Sequence, residues 1–390
     1  MPPYKPYCFV KEMIPETNSY QQLSKLQKVL LKQNIPFTSY RLPLETEIIT
    51  LVQHHSLPEK LDSIREIDKS IGFVVSPFNE TVEHGSFLLK PDCVFFSDEI
   101  DDIYIQKLID NNNFVELKKS INFMQSTSND EFISNVNKAV KAMNAGEFDK
   151  VVLSKVRLEE LADGFQPEVF FLKLCEKYPH AMVYLLQLPE LGCWIGATPE
   201  PLLVVEDETV KTVSLAGTQI ATGTTVDSYL WAEKEMEEQG IVTDFVENTL
   251  QSLYIKNYSK TGPMNYQAAN LIHLKTAFEF PQSELRNSFS DLLKALHPTP
   301  SVGGLPKTEA RNFILANEKH DRSYYTGFLG PININKKIDI FVNLRCLQLF
   351  DKQFVLYSGA GITASSVAEN EWTETDNKML TMMNVMKNSQ

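Results

Sequence analysis

Two pairs of glutamates have a spacing that suggests chemistry. Glu235 and Glu238 are three apart in a segment, residues 228–253, whose pattern predicts a long helix, so both lie on one face. Glu371, Glu374 and Lys378 repeat the arrangement on a helix expected over residues 368–387. Two helices that each present a carboxylate pair can hold a divalent cation between them. Hard oxygen donors suit magnesium, which takes one or two carboxylates and keeps several waters. The same spacing is also that of a solvated helix face.

Other residues offer acid–base and anion chemistry. Lys150 opens the apolar run VVLS, where desolvation can turn a lysine into a base, although a lysine there can equally mark a strand edge. Glu200 ends the strand-like IGATPE; it is either a solvated turn residue or, with a raised pKa, a general acid. Arg345 sits in the apolar run FVNLRCL, expected as a strand, and needs a carboxylate from the protein or a ligand. His273, in NLIHL, has no second histidine at metal-ligand spacing, and the seven histidines form no zinc motif. The segments SLAGT and SGAGI read as glycine-bearing turns after strands, whose free N–H groups can hold a carboxylate. Neither has the glycine spacing of a dinucleotide fingerprint.

The rest of the chain must position these groups. Its 390 residues, 43% of them hydrophobic, can bury a large core. A formal net charge of −13 argues against nucleic acid as a partner and requires local cations or a metal wherever an anionic substrate binds. The five cysteines, Cys8, Cys93, Cys175, Cys193 and Cys346, are scattered without a C-x-x-C pair, which fits a reducing cytoplasm. The opening MPPYKPYCFVKEMIPE lacks the pattern of a signal peptide, and no window approaches 18 apolar residues, so no membrane contact is expected. Strands are expected at 7–10 and 71–75, a helix at 20–33, a loop at 110–113, and a helix from the capping run STSND to about residue 144. Further strands are expected at 151–158, 181–188, 193–197, 202–206 and 210–215, and 338–350 should form a hairpin with 353–358. Strands and helices come in blocks, so an α+β layered fold is favoured over a doubly wound sheet.

Taken in order, the runs DKVVLSK, IGATPEPLL, SLAGT, EKEMEEQGIV, NLIHLKT, ALHPTPSVGGLPKTEA, SYYTGFLG, VNLRCL, SGAGITASS and ENEWTETDNK resemble the chorismate-utilising enzymes. That family includes isochorismate, salicylate, anthranilate and aminodeoxychorismate synthases. The resemblance implies one layered α/β unit over 1–390 with antiparallel-rich sheets flanked by helices. Residues 131–388 would be the chorismate-binding catalytic core, and residues 1–125 a variable part that completes the fold. It implies that Lys150 activates water and that Glu200 is the general acid on the opposite face of the ring. Glu238 and Glu374 would bind magnesium directly, with Glu235 and Glu371 behind them. Gly217, Thr218, Gly361 and Lys378 would surround the ring carboxylate, Tyr325 and Arg345 would hold the enolpyruvyl carboxylate, and His273 would line the ring site. The chain departs from the family at Glu238-Gln239, where Glu-His is frequent.

Within the family, Lys150 together with alanine at position 216 implies water as the nucleophile and no amidotransferase subunit. The expected reaction is the reversible conversion of chorismate to isochorismate by a magnesium-dependent isomerase, with a monomer as the expected state. Salicylate synthase, which goes on to eliminate pyruvate, is the nearer alternative, and a non-catalytic chorismate-binding protein the farther one. Menaquinone and siderophore synthesis are both compatible destinations for the product.

Overall fold

The computed structural model describes residues 17–110, 125–221, 225–268, 271–285 and 288–387. Runs that are apolar almost throughout form strands buried on both faces. Met182–Leu188 is buried along its whole length, and Lys150–Glu160 over its first seven residues. Strands are covered in this way only when other layers lie on both sides.

Among the described residues the strands form two nine-stranded sheets. The first runs through Gly304–Leu305, Lys150–Glu160, Gln353–Ile362, Cys346–Leu349, Gly192–Thr198, Met182–Leu188, Phe37–Arg41, Ile49–Val52 and Cys93–Phe96. The second runs through Ser259–Ala268, Leu271–Pro281, Thr209–Ile220, Pro201–Glu206, Lys337–Val342, Phe328–Ile334, Gly72–Ser76, Phe87–Leu89 and Glu59–Lys60. The strands from the first hundred residues extend both sheets. Phe37–Arg41 pairs antiparallel with Met182–Leu188, and Gly72–Ser76 with Phe328–Ile334.

The sheets face each other across a core that includes Tyr40, Phe73, Tyr184, Trp194, Phe341 and Tyr357. Helices Thr17–Gln33, Pro167–Lys177 and Ala368–Met386 cover the outside of the first sheet through Leu26, Phe171, Leu174 and Met382. Helices Glu233–Ser252 and Phe289–Leu296 cover the second through Val246, Leu250, Leu292 and Leu296. This is the α+β fold expected from the sequence, with antiparallel sheets flanked by helices. The STSND run also acts as expected: the Ser128 side chain accepts the Glu131 N–H and starts helix Asn129–Asn144. Among the described residues no helix is long and apolar enough to cross a membrane.

Several local expectations need correction. The strand expected over 338–350 is two strands in different sheets, Lys337–Val342 and Cys346–Leu349. The chain crosses between the sheets at residues 343–345, where Arg345 has a φ of 48°. Regular strand cannot pass through a left-handed residue, so the ladder breaks there. The SLAGT and SGAGI segments are parts of strands, not turns after them. Thr209–Ile220 continues along Leu271–Pro281 through a bulge between Ala216 and Gln219, and residues 358–362 pair with Lys150–Glu160. The helix expected from residue 228 begins at Glu233, after the short 3-10 turn Val226–Ser228. The strand expected at 7–10 and residues 111–113 of the expected loop lie outside the described residues, and Asp110 ends helix Asp102–Asp110.

Candidate active site

The two carboxylate-bearing helices both contribute to the wall of one cavity. Each carries acids in its first turn, Glu233 and Glu235 on one and Glu369 and Glu371 on the other. The helix dipole favours negative charge there, which is a local reason for acids at these places. One turn further on, Glu238 and Glu374 face the cavity.

Each of these two glutamates meets a lysine. Lys150 Nζ lies 2.7 Å from Glu238 Oε1, and the lysine side chain is fully buried. Lys378 Nζ lies 2.6 Å from Glu374 Oε1 and donates to the Gly359 carbonyl at 2.9 Å. Gly361 faces the first pair. A Cβ there would stand 2.6 Å from Glu238 Oε1 and 3.2 Å from Lys150 Cε. A Cβ at Gly359 would stand 3.0 Å from the Tyr325 hydroxyl. The SGAG glycines therefore act by omission: they leave room for side chains that reach across from neighbouring elements.

Glu200 is buried in the short link between Gly192–Thr198 and Pro201–Glu206. Burial pushes its carboxyl up to about 7, against a weak bond from the Thr299 hydroxyl at 3.4 Å and the attraction of Lys150 and Arg345. It is thus a carboxyl that can be protonated near neutral pH, and the solvated-turn alternative is excluded.

Arg345 lines the same cavity. Among the described residues no carboxylate forms an ion pair with it. Burial lowers its pKa, while Tyr325, Glu374 and Glu200 act in the opposite direction. Tyr325 is buried and stacks on Tyr357 with ring centroids 5.4 Å apart. Burial raises its pKa, so its hydroxyl remains a donor.

His273 is also buried. Its Nδ1 lies 2.7 Å from the Gly217 carbonyl, which can only accept, so Nδ1 carries the proton. Desolvation lowers its pKa to about 3, with Arg345 adding to the effect. The ring is neutral, and its buried Nε2 has no partner among the described residues. Gly217, at the bulge with a φ of 67°, brings its carbonyl to this histidine, and Thr218 follows it into the cavity wall. A side chain at Gly217 would also meet Trp231 at 3.0 Å.

The structure thus gathers Glu200, Gly217, Thr218, Glu238, His273, Tyr325, Arg345, Gly361, Glu374 and Lys378 around one cavity. Lys150 reaches it through Glu238. Glu235 lies behind Gly217, its Cβ 3.4 Å from where a Gly217 Cβ would be, and Glu371 is buried. No three of these glutamates bring oxygens within 4.8 Å of one another among the described residues. Their chemistry still fits magnesium. All four are hard oxygen donors, and Glu235 Oε2 is buried without a hydrogen-bond partner among the described residues. Gln239, the departure from the family pattern, points into the protein, with its Nε2 3.0 Å from both Ser214 Oγ and Thr276 Oγ1.

Sequence reasoning missed part of the site. Ser301 and Thr326 line the cavity, and the Ser301 hydroxyl donates to the Leu215 carbonyl at 2.6 Å. Both stand inside runs already singled out, HPTPSVGG and SYYTG, and position alone could have flagged them. Tyr357 carries no comparable signal. A buried network behind the wall was missed altogether. Arg322 clasps Glu318 with bonds of 2.6 and 2.7 Å and donates to the carbonyls of Val152 and Val302, at 2.7 and 3.0 Å. Glu318 also accepts the Ser154 N–H at 2.6 Å.

A family model described as chorismate binding enzyme matches residues 18–387. Isochorismate synthase EntC of Escherichia coli strain K12 is 29% identical over 245 residues, 61% of this chain and 62% of the relative. Anthranilate synthase component 1 of Aquifex aeolicus is 29% identical over 278 residues, 68% of this chain and 55% of the relative. The matched regions thus span under two thirds of these relatives' own lengths. The structure of a putative 2,3-dihydroxybenzoate-specific isochorismate synthase, DhbC from Bacillus anthracis, superposes with a TM-score of 0.73 at 22% identity. That match covers 94% of this chain and 99% of the other, and supports the fold.

Proposed function

This chain belongs to the chorismate-binding enzymes, and from that premise we propose that it is an isochorismate synthase. The observation that carries the reading is Arg345, a guanidinium on the cavity wall with no carboxylate partner among the described residues. A cation so placed suits an anionic ligand. Equal identity to an isochorismate synthase and an anthranilate synthase component means that overall similarity does not choose between them. Lys150, with Ala216 in the SLAGT strand, favours water over ammonia on the grounds of the family resemblance.

In this reading Arg345 and Tyr325 anchor the enolpyruvyl carboxylate, which fixes the ring between Glu200 and Lys150. The ring carboxylate lies toward Gly217, Thr218, Gly361 and Lys378. Neutral His273 offers Nε2 as an acceptor along the ring. Lys150, once it has released a proton, takes one from the water that attacks C2. The ring double bonds shift, and the C4 hydroxyl leaves as water with the proton of Glu200. A carboxyl held at about 7 can give that proton at neutral pH and recover it when the reaction runs backward. Glu238 and Glu374 would hold magnesium, backed by Glu235 and Glu371; when bound, the ion would neutralise the charge of the ring carboxylate.

Incubating the full chain with chorismate and magnesium in oxygen-18 water, then separating the products, tests the proposal. Isochorismate labelled at C2 is the expected result. Stoichiometric pyruvate would make the enzyme a salicylate synthase. An amino product formed faster with ammonium present would move it to the aminating branch, and no turnover would leave a binding protein.

A further inference from the structure

We propose that His54, His55, Asp92 and Cys93 form a site for a borderline divalent transition-metal ion such as zinc. The two dipeptides are distant in sequence but meet where strands Ile49–Val52 and Cys93–Phe96 pair, with Val52 opposite Cys93. His54 and His55 leave the end of one strand, while Asp92 and Cys93 lead into the other. The Asp92 N–H donates to the Val52 carbonyl at 2.8 Å and closes the junction.

The donor atoms converge. One ligand atom each from His54, His55 and Asp92 lie within 4.8 Å of one another. Cys93 Sγ lies 3.8 Å from His54 Nε2. In a tetrahedral zinc site, bonds of about 2.0–2.3 Å put neighbouring donors roughly 3.3–3.7 Å apart; His54, His55 and Asp92 form the convergent set, and Cys93, beside His54 alone, completes it by turning toward the other two. The two imidazoles already lie with centroids 3.9 Å apart.

The surroundings hold this arrangement in place. Asp92 Oδ2 accepts the N–H groups of both His54 and His55, at 2.7 and 2.9 Å, which leaves Oδ1 for a ligand. Gln53 braces both arms: its Oε1 accepts the Lys90 N–H at 2.8 Å and its Nε2 donates to the Leu57 carbonyl at 3.0 Å. Such fixed outer contacts are what orient the ligands of natural metal sites.

The site is distinct from the cavity, which none of its four residues lines. The donor chemistry separates them too. The cavity glutamates offer only oxygen, whereas this junction offers two nitrogens, an oxygen and a sulfur, a set that borderline metals prefer and magnesium does not. The remaining cluster of this kind among the described residues, Glu83, His84 and Asp321, has one nitrogen donor, and that nitrogen is engaged with Asp321. A metal at the junction would tie two strands together at the edge of the first sheet and take no part in turnover.

Titration of the chelator-treated full chain with cobalt(II), in excess magnesium and without oxygen, tests the proposal. One equivalent should bind, with visible d–d bands and a near-ultraviolet thiolate-to-cobalt band. Cys93→Ser should remove the near-ultraviolet band and keep the visible ones. His55 is exposed, so His55→Ala should fold normally. It should weaken binding by more than about 100-fold, the upper end of the cost of losing an outer-shell contact. Magnesium-dependent turnover should be unchanged in both variants. A wild-type spectrum without the thiolate band, unchanged affinity in His55→Ala, or loss of binding in His84→Ala would each overturn the assignment.

Discussion

Glu200 and Glu318 are both buried carboxylates near one cavity, and they are driven in opposite directions. Among the described residues Glu200 receives one long bond from Thr299 and no direct cation, so desolvation prevails and its carboxyl rises to about 7. Glu318 is desolvated too, but Arg322 holds it from two nitrogens and Ser154 from its backbone, and its pKa falls. Burial alone therefore does not determine what a carboxylate does. The partner decides, and the chain supplies one where it needs a rigid wall and withholds one where it needs a mobile proton.

The largest expected effect is on turnover. Glu200→Gln keeps the shape of the side chain and removes its proton, so the rate should fall by about 10²–10⁴-fold while chorismate binding changes little. Lys150→Ala should fall by a similar factor for the opposite proton. Steady-state kinetics on folded protein measures both, and a Glu200→Gln enzyme within a few-fold of wild type would remove the contrast. On the structural side, Glu318→Gln leaves the Arg322 charge buried without its partner and should cost about 3–5 kcal/mol of stability. Denaturant unfolding reads that loss. Turnover per folded molecule should fall far less than in Glu200→Gln; an equal fall would make Glu318 part of the chemistry. Arg345→Ala, which removes a cation offered to the substrate, should weaken chorismate binding by about 2–5 kcal/mol. Unchanged affinity and rate would detach Arg345 from the substrate.

These two carboxylates also mark the limit of what the sequence makes legible. Glu200, Lys150, Glu238, Glu374, Arg345 and His273 stand in runs with a recognisable order, and the structure gathers them at one cavity. The clasp of Glu318 by Arg322 has ordinary helix-like spacing, four apart. Its role comes from the carbonyls of Val152 and Val302, which only the folded chain brings within reach. The layered α+β class followed from blocks of apolar runs, but the crossing between sheets at residues 343–345 did not. A left-handed residue there gives no signal when it is an arginine rather than a glycine. The helix expected from residue 228 starts late for a similar reason: Leu230 continues the apolar pattern, yet it is exposed outside the helix.

The pH dependence of stability sharpens the comparison most, because it reads the proton of Glu200 without any substrate. A carboxyl that ionises near 4.5 when unfolded but at about 7 when folded keeps its proton in the native state across that interval. The folded state then binds more protons, so this group makes stability fall as pH rises from about 4.5 to 7, by roughly 3 kcal/mol in all. Glu318 has the opposite sign. Its contribution is present above its unfolded pKa and is lost as pH falls through its lower folded value. Other groups titrate in the same window. Asp339 is also pushed up to about 7, mainly by burial, while burial pushes His273 to about 3 and His297 to about 4, so that they stabilise with rising pH. The difference between Glu200→Gln and wild type cancels these shared terms as long as the sites are independent. Unfolding free energies measured at intervals from pH 5 to 8 should therefore show the variant gaining on wild type as pH rises. A difference that stays flat would mean that Glu200 is ionised throughout, and the general acid would have to be sought elsewhere on the cavity wall.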